Sequence, residues 1–332
     1  MAFPLELSDP IYTDETAARQ CLEAIRWPNG VVCPKCGSAE GARPLAGKSM
    51  GEGWYYCGDC QGKFTARVGT VYERSHIPLH KWLLAFRLMA SSKKGFSAHQ
   101  LHRTLGITYK SAWFMAHRIR EAMKQTDPML LGGEGQVVEV DETFTGKPRQ
   151  KFVTGKGWQG HRAWHTKQKV VSLVERGGKA RSIKVQDLKP ATVKKVLDEN
   201  VNKESRLHTD QANFYKKPGK EFAEHASVNH ASLEYARGDV TTNSVEGFFG
   251  IFKRGLTGVY QHCGEQHLQR YMYEFDFRYS NRTALGIDDA KRTELAVKGA
   301  AGKRLTYRRP HNAPEASAQA DAGRNSSLEK SG

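Results

Sequence analysis

A multidomain chain of mixed α+β and α/β character is predicted by three features, met in order along the sequence. Two CxxC pairs lie near the N-terminus, a stretch of helical apolar period follows, and from about residue 131 β-branched runs alternate with helices. With 332 residues the chain has room for two or three cores.

The first pattern holds four of the six cysteines, Cys33, Cys36, Cys57 and Cys60, in two pairs twenty residues apart. In a reducing compartment this spacing suits a tetrahedral four-thiolate Zn²⁺ site, and the alternating segments Trp54 to Cys60 and Lys63 to Arg67 suit the strands of a zinc ribbon. A short helix, Thr16 to Arg26, precedes it, and 1–75 forms the first unit. Cys21 and Cys263 have no comparable partner and read as buried free thiols.

Residues 76–130 form the second unit. Trp82 to Met89 and Ser97 to Leu105 have helical period, Gly106 breaks it, and Lys110 to Lys124 restores it with Trp113, Ala116, Ile119 and Met123. Helix, glycine turn, helix fits an αα-hairpin as well as a DNA-binding helix-turn-helix. The nearby His99, His102, Arg103, Lys110, His117, Arg118 and Arg120 favour the second, with Arg118 and Arg120 as candidate DNA contacts.

The third unit, 131–300, starts with the run Val137 to Phe144, read as a strand closed by Asp141. Strands Val170 to Val174 and Ala180 to Val185 follow, then a helix Ala191 to Asn202 and a strand closed by Asp210. A late helix, Thr241 to Arg254, carries an acid; this order is that of a ribonuclease-H-like fold. At ~100° per residue that helix puts Val245, Phe248, Phe249 and Phe252 on one face and Asn243, Glu246 and Lys253 on the other. Its Gly247 and Gly250, each costing ~1 kcal/mol in a helix, suit close approach of a substrate backbone. Residues 301–332 are a basic segment and a tail without apolar period, read as disordered.

Lys and Arg outnumber Asp and Glu by 51 to 35, a formal +16 that favours a polyanionic partner such as nucleic acid. No apolar run approaches the ~18 residues of a membrane span and no secretory pattern opens the chain, so no membrane role and a cytoplasmic, nucleoid-associated place are expected. The insertion 146–169 interleaves Lys147, Arg149, Lys151, Lys156, Arg162 and Lys167 with Trp158 and Trp164, a mix suited to phosphate contacts and base stacking. Phosphodiester chemistry builds charge on the attacking and leaving oxygens, which two Mg²⁺ ions ~4 Å apart stabilise, with Mn²⁺ as a substitute. Carboxylates such as Asp141 and Asp210 are the oxygen ligands such ions want.

The chain resembles the DDE-type insertion-sequence transposases with an N-terminal zinc ribbon, the ISXO-like group. The matching text is Cys33-Pro34-Lys35-Cys36-Gly37-Ser38, Tyr56-Cys57 to Cys60 with Phe64-Thr65, Val140 to Phe144, His208-Thr209-Asp210, and Asn243 to Phe249 with Phe252 to Gly255. The resemblance implies an acidic triad beginning with Asp141 and Asp210. In DDE enzymes the third acid commonly follows thirty-five residues after the second, and thirty-five residues separate Asp210 from Glu246, with Lys253 seven positions on. The group also lets Asn or His replace the final Glu; Glu246 is favoured because an anionic oxygen holds Mg²⁺ more tightly, with Asn243 as co-ligand or replacement. Lys253, backed by Arg254, would set a cation beside a phosphate. A transposase of this kind binds terminal inverted repeats, cuts and joins DNA strands, and works as a homodimer or higher oligomer on DNA. The alternatives are a zinc-ribbon DNA-binding regulator without catalysis, and a ribonuclease-H-like nuclease or resolvase.

Overall fold

The computed structural model describes residues 3–4, 6–45, 50–126, 129–146, 151–155, 157–159, 167–229, 234 and 236–306, with backbone only for 151–153 and 157–159. Helix α1 (Glu15–Arg26) is capped by Asp14, whose carboxylate accepts from the Ala17 amide at 2.7 Å. Strands β1 (Ala42–Pro44), β2 (Trp54–Cys57) and β3 (Gly62–Thr65) form an antiparallel ribbon, in which Tyr55 and Phe64 stack and Trp27 packs edge-on to both. A four-residue strand cannot bury a core alone, so this aromatic knot and the cysteine cluster hold the ribbon.

Helices α2 (Leu79–Ser91), α3 (Ala98–Leu105) and α4 (Tyr109–Ala122) follow. Gly106 ends α3 in the left-handed conformation, φ +59°, the turn a glycine makes without Cβ strain, and Thr108 caps α4 through the Ser111 amide. The apolar faces of α1 to α4 share one core.

The third unit contains a five-stranded sheet built from β4 (Val137–Thr145), β7 (Gln168–Glu175), β8 (Ala180–Val185), β9 (Arg206–Asp210) and β10 (Glu224–Val228). Its order is β10-β9-β4-β7-β8; β4, β9 and β10 run parallel, β7 antiparallel to β4, and β8 antiparallel to β7. This is the strand order and direction of a ribonuclease-H-like sheet. Two small hairpins accompany it, β5 (Lys151–Val153) with β6 (Gly157–Gln159), and β11 (Ala236–Arg237) with β12 (Val240–Thr241). The β alternation sends Val138, Val140, Val171 and Leu173 to one face, with α5 (Pro190–Asn200) and α6 (Asn213–Gly219). It sends Val170 and Val174 to the other, under α7 (Asn243–Gly255) and α8 (Leu268–Ser280).

Two expectations change. Asp141 does not close its strand: β4 runs on to Thr145, still paired with β7. On its other side the parallel pairing ends at Val140↔Thr209, so Asp141 lies where β4 outruns β9. Residues 289–300, read with the catalytic unit, pack instead on the helical one, as does Ala301 from the segment read as tail. Ala290, Ala296, Val297 and Ala300 of α9 (Asp289–Lys298) and its extension enter the first core, and Thr70 bridges to Ala301. The tail beyond 306 lies outside the described residues. No helix among the described residues is long and apolar enough to cross a membrane.

Candidate metal centre and nucleic-acid interface

At the end of the parallel β4–β9 pairing, ligand oxygens of Asp141, Glu142 and Asp210 all lie within 4.8 Å of one another. Local backbone fixes two of them: Asp141 Oδ1 accepts from the Glu142 amide at 2.7 Å, and Asp210 Oδ1 from the Ala212 amide at 3.0 Å. Glu142 leaves the opposite face of β4, where the buried Tyr215 of α6 donates its hydroxyl to Oε2 at 3.0 Å. Glu142 is the site residue that sequence reasoning passed over, although it stood beside Asp141 in the matching run.

Burial, then repulsion from Glu142, Asp210 and Glu246, pushes the Asp141 carboxyl up from 3.8 to about 7. Burial and Asp210 push Glu142 up to about 7 against the opposing Tyr215 hydrogen bond. Carboxylates crowded in this way resist ionising together, and a hard divalent cation is what relieves them; the oxygen donor set fits Mg²⁺ or Mn²⁺.

Helix α7 brings the rest. Asn243 is its first residue and Glu246 stands one turn in, both exposed, with Glu246 Oε1 accepting from the Thr242 hydroxyl at 2.8 Å. Glu246 raises the Asp141 pKa, so its charge reaches the centre, but the 4.8 Å cluster does not extend to it. Lys253 and Arg254 are exposed, and Lys253 lines a cleft of about 630 Å³ with Phe144, Thr145 and Gln168, just beyond Asp141 on β4 and its neighbour β7. A Cβ at Gly247 would meet nothing within 4 Å and one at Gly250 only the Arg254 side chain, so packing in the described chain demands neither glycine. Gly255 differs: a Cβ there would strike the Lys94 carbonyl at 2.5 Å.

Sulfurs of Cys33, Cys36, Cys57 and Cys60 likewise gather within 4.8 Å, Cys33 and Cys57 buried, Cys36 and Cys60 exposed. Their four-thiolate arrangement fits Zn²⁺.

The basic candidates divide. Arg120 is 2% exposed, its Nε donates to Glu274 at 2.7 Å, and its guanidinium lies over the Tyr271 ring. Its charge is neutralised inside the fold, so it is no DNA contact. Arg118 is half-buried and donates to the carbonyls of Val71, Glu73 and Leu305, a brace between units rather than a free cation. His117 is buried and kept neutral, pushed down to about 2 by burial and then by Arg120, His267 and Arg270. Exposed His99, near the start of α3, stacks on Tyr109, the first residue of α4, and Arg103 and Lys110, closer to the α3–α4 turn, are also exposed. Lys167 is half-exposed beside β7. Lys147, Arg149, Lys156, Arg162 and Trp164, and the side chains of Lys151 and Trp158, lie outside the described residues.

In comparison with known proteins, residues 13–63 match the family model described as transposase zinc-ribbon domain, and residues 129–280 match the one described as ISXO2-like transposase domain. A Halobacterium salinarum protein, described as an uncharacterized protein in transposable element ISH50, is 27% identical over 277 residues, 80% of this chain and 91% of the relative. Among solved structures, the Mos1 transposase paired-end complex with left transposon end aligns with 63% of this chain and 79% of that chain, at 11% identity and a TM-score of 0.18, a likeness too slight to carry an argument.

Proposed function

From the similarity of its two matched segments to transposase family models, we propose that this chain is a DDE-type DNA transposase that binds the terminal inverted repeats of its element and cuts and joins DNA strands. The observation that carries the reading is the meeting of Asp141 and Asp210, far apart in sequence, with Glu142 inside the ISXO2-like segment.

Asp141, Asp210 and Glu142 would hold Mg²⁺, with Glu246 or Asn243 completing the set from α7. When bound, the metal supplies Lewis-acid stabilisation of charge on the attacking and leaving oxygens. The protein's own part is placement: β4 and β9 aim the carboxylates, and Lys253, with Arg254 behind it, offers a cation to a phosphate in the adjoining cleft. Water attacks phosphorus at the element's end, the P–O3′ bond breaks, and the 3′-hydroxyl is freed. That hydroxyl then attacks a target phosphodiester, forming one P–O bond and displacing the target's 3′ oxygen. Neither step needs a nucleophilic side chain.

The zinc ribbon and the exposed residues of α3 and α4, His99, Arg103, Tyr109 and Lys110, would take the terminal repeats, and 146–169 the DNA near the cut. Two ends must be joined, so the working form is at least a dimer on DNA, in the cytoplasm with the nucleoid. Incubating purified protein with Mg²⁺, duplexes carrying the element's own ends and a target plasmid tests this. Joined products with wild type and none with Asp141→Ala support it. Binding without metal-dependent nicking would make the chain a regulator, and cut but unjoined ends a nuclease or resolvase.

A further inference from the structure

Helix α7, which carries Asn243, Glu246 and Lys253, begins without a cap of its own. A threonine at the N-cap ordinarily accepts from an amide of the first turn. Thr242 does not, and its hydroxyl donates to Glu246 at 2.8 Å instead. The amides it leaves go to a different strand. Glu139 of β4 accepts from the Ser244 amide at 2.7 Å and the Val245 amide at 3.2 Å through Oε2, and from the Ser244 hydroxyl at 2.9 Å through Oε1.

Glu139 is 0% exposed. Its counter-ion is Arg176, whose Nε and Nη2 donate to Oε1 at 3.0 and 2.9 Å. Arg176 also donates to the carbonyls of Asp239 and Thr241, in the segment that leads into α7, and lies 3.4 Å from Nδ1 of the buried His208. Glu139 and His208 are register partners on β4 and β9, each two residues before its strand's aspartate. By the alternation of strands they share a sheet face with Asp141 and Asp210, one tier beneath them.

A buried ion pair adds little net stability over well-packed apolar residues, because desolvation consumes most of its attraction. What this one contributes is location. Anionic oxygens at the positive end of α7 bind its first turn to the strand that bears Asp141. We infer that Glu139 is a positioning residue of the metal centre: it caps α7 from the neighbouring strand, leaves Thr242 to hold Glu246, and thereby sets the α7 ligands against Asp141. The inference rests on the reading of that centre as a divalent-metal phosphodiester site.

The test uses full-length, zinc-loaded protein, with Mn²⁺ binding followed by calorimetry and end cleavage followed against Mn²⁺ concentration, for wild type, Glu139→Gln, Ser244→Ala and Asp141→Ala. Glu139→Gln weakens Mn²⁺ binding about tenfold or more, the effect typical of groups that orient metal ligands. It also lowers the rate at saturating Mn²⁺, while bound zinc and affinity for end DNA stay at wild-type values. Ser244→Ala removes the hydroxyl contact but keeps both amide bonds, and weakens Mn²⁺ about two- to threefold, as loss of one modest hydrogen bond does. A folded Glu139→Gln protein with wild-type Mn²⁺ affinity and rate overturns the inference. If that variant fails to fold, Ser244→Ala decides, and unchanged Mn²⁺ binding overturns it. Should wild type and Asp141→Ala titrate alike with Mn²⁺, the metal centre itself is refuted and the inference falls with it. Should they differ while Glu139→Gln matches wild type, only the inference fails.

Discussion

With no divalent ion at the carboxylate cluster, the protein is predicted to gain stability when Asp141 is neutralised, so Asp141→Asn melts higher than wild type while losing the proposed cleavage. Asp141 ordinarily titrates at 3.8 and here at about 7, through burial and then through repulsion from Glu142, Asp210 and Glu246. The fold therefore favours the protonated form. Stability linked to that proton is fully present below about pH 4 and is lost as pH rises through 7. At ~1.36 kcal/mol per pH decade the whole displacement amounts to ~4 kcal/mol. Burying an amide in the same place costs part of this again, leaving a net gain on the order of 2 kcal/mol at pH 8. For a cooperative unit of 150–250 residues that is a rise in Tm of roughly 4–8 °C. The assay is thermal denaturation in EDTA-free, metal-depleted buffer, a chelator being avoided because it would strip the ribbon's zinc. At pH 5 most of wild-type Asp141 is protonated and the gap narrows to less than half its pH 8 size. Added Mn²⁺ at pH 8 raises the wild-type Tm and leaves Asp141→Asn nearly unmoved. A variant that melts lower than wild type at pH 8, or a gap of equal size at both pH values, would refute the account of crowded carboxylates.

Stripping zinc, or Cys36→Ser, unfolds the ribbon, read as loss of its aromatic near-ultraviolet signal together with release of one zinc per chain; an unchanged spectrum would disprove the site. Arg120→Met leaves Glu274 buried with one guanidinium partner fewer and costs about 3–5 kcal/mol in thermal unfolding; a normal melt with weakened DNA binding would return Arg120 to the DNA interface. Lys253→Ala flattens the slope of log K against log salt for end DNA by about one, and an unaltered slope would leave Lys253 without a phosphate. Glu246→Gln reduces strand transfer more than Asn243→Ala does; the reverse order would make Asn243 the third ligand.

Short-range patterns were the legible ones. Two CxxC pairs need only local chain geometry to bring their sulfurs together, and the structure gathers all four. Strand runs and the aromatic face of α7 repeat at the periods of their elements, so the succession of strands and helices along the chain and the burial of Val245, Phe248, Phe249 and Phe252 followed. The basic residues of α4 were not legible in the same way, because a guanidinium looks the same in sequence whether it faces solvent or a distant carboxylate. Arg120 meets Glu274, and Arg118 meets the carbonyls of Val71, Glu73 and Leu305, across separations no local pattern encodes. Glu142 escaped for a related reason: neighbouring residues on a strand point to opposite faces, and only where β4 outruns β9 can both carboxylates turn to the same opening.

By itself the sequence determined the parts: a cysteine cluster, helices, a set of strands of which two carry an aspartate, and a basic chain around them. Their local propensities and spacings suffice for that, since each part is specified by residues close together. Tertiary structure alone decided the pairings between parts. It seated α9 against the helical unit, neutralised Arg120, joined Glu142 to the two aspartates, and gave the first turn of α7 to Glu139 rather than to its own Thr242. A buried charge takes whichever partner the packed chain brings within hydrogen-bond reach, and that choice exists only once the chain has closed on itself.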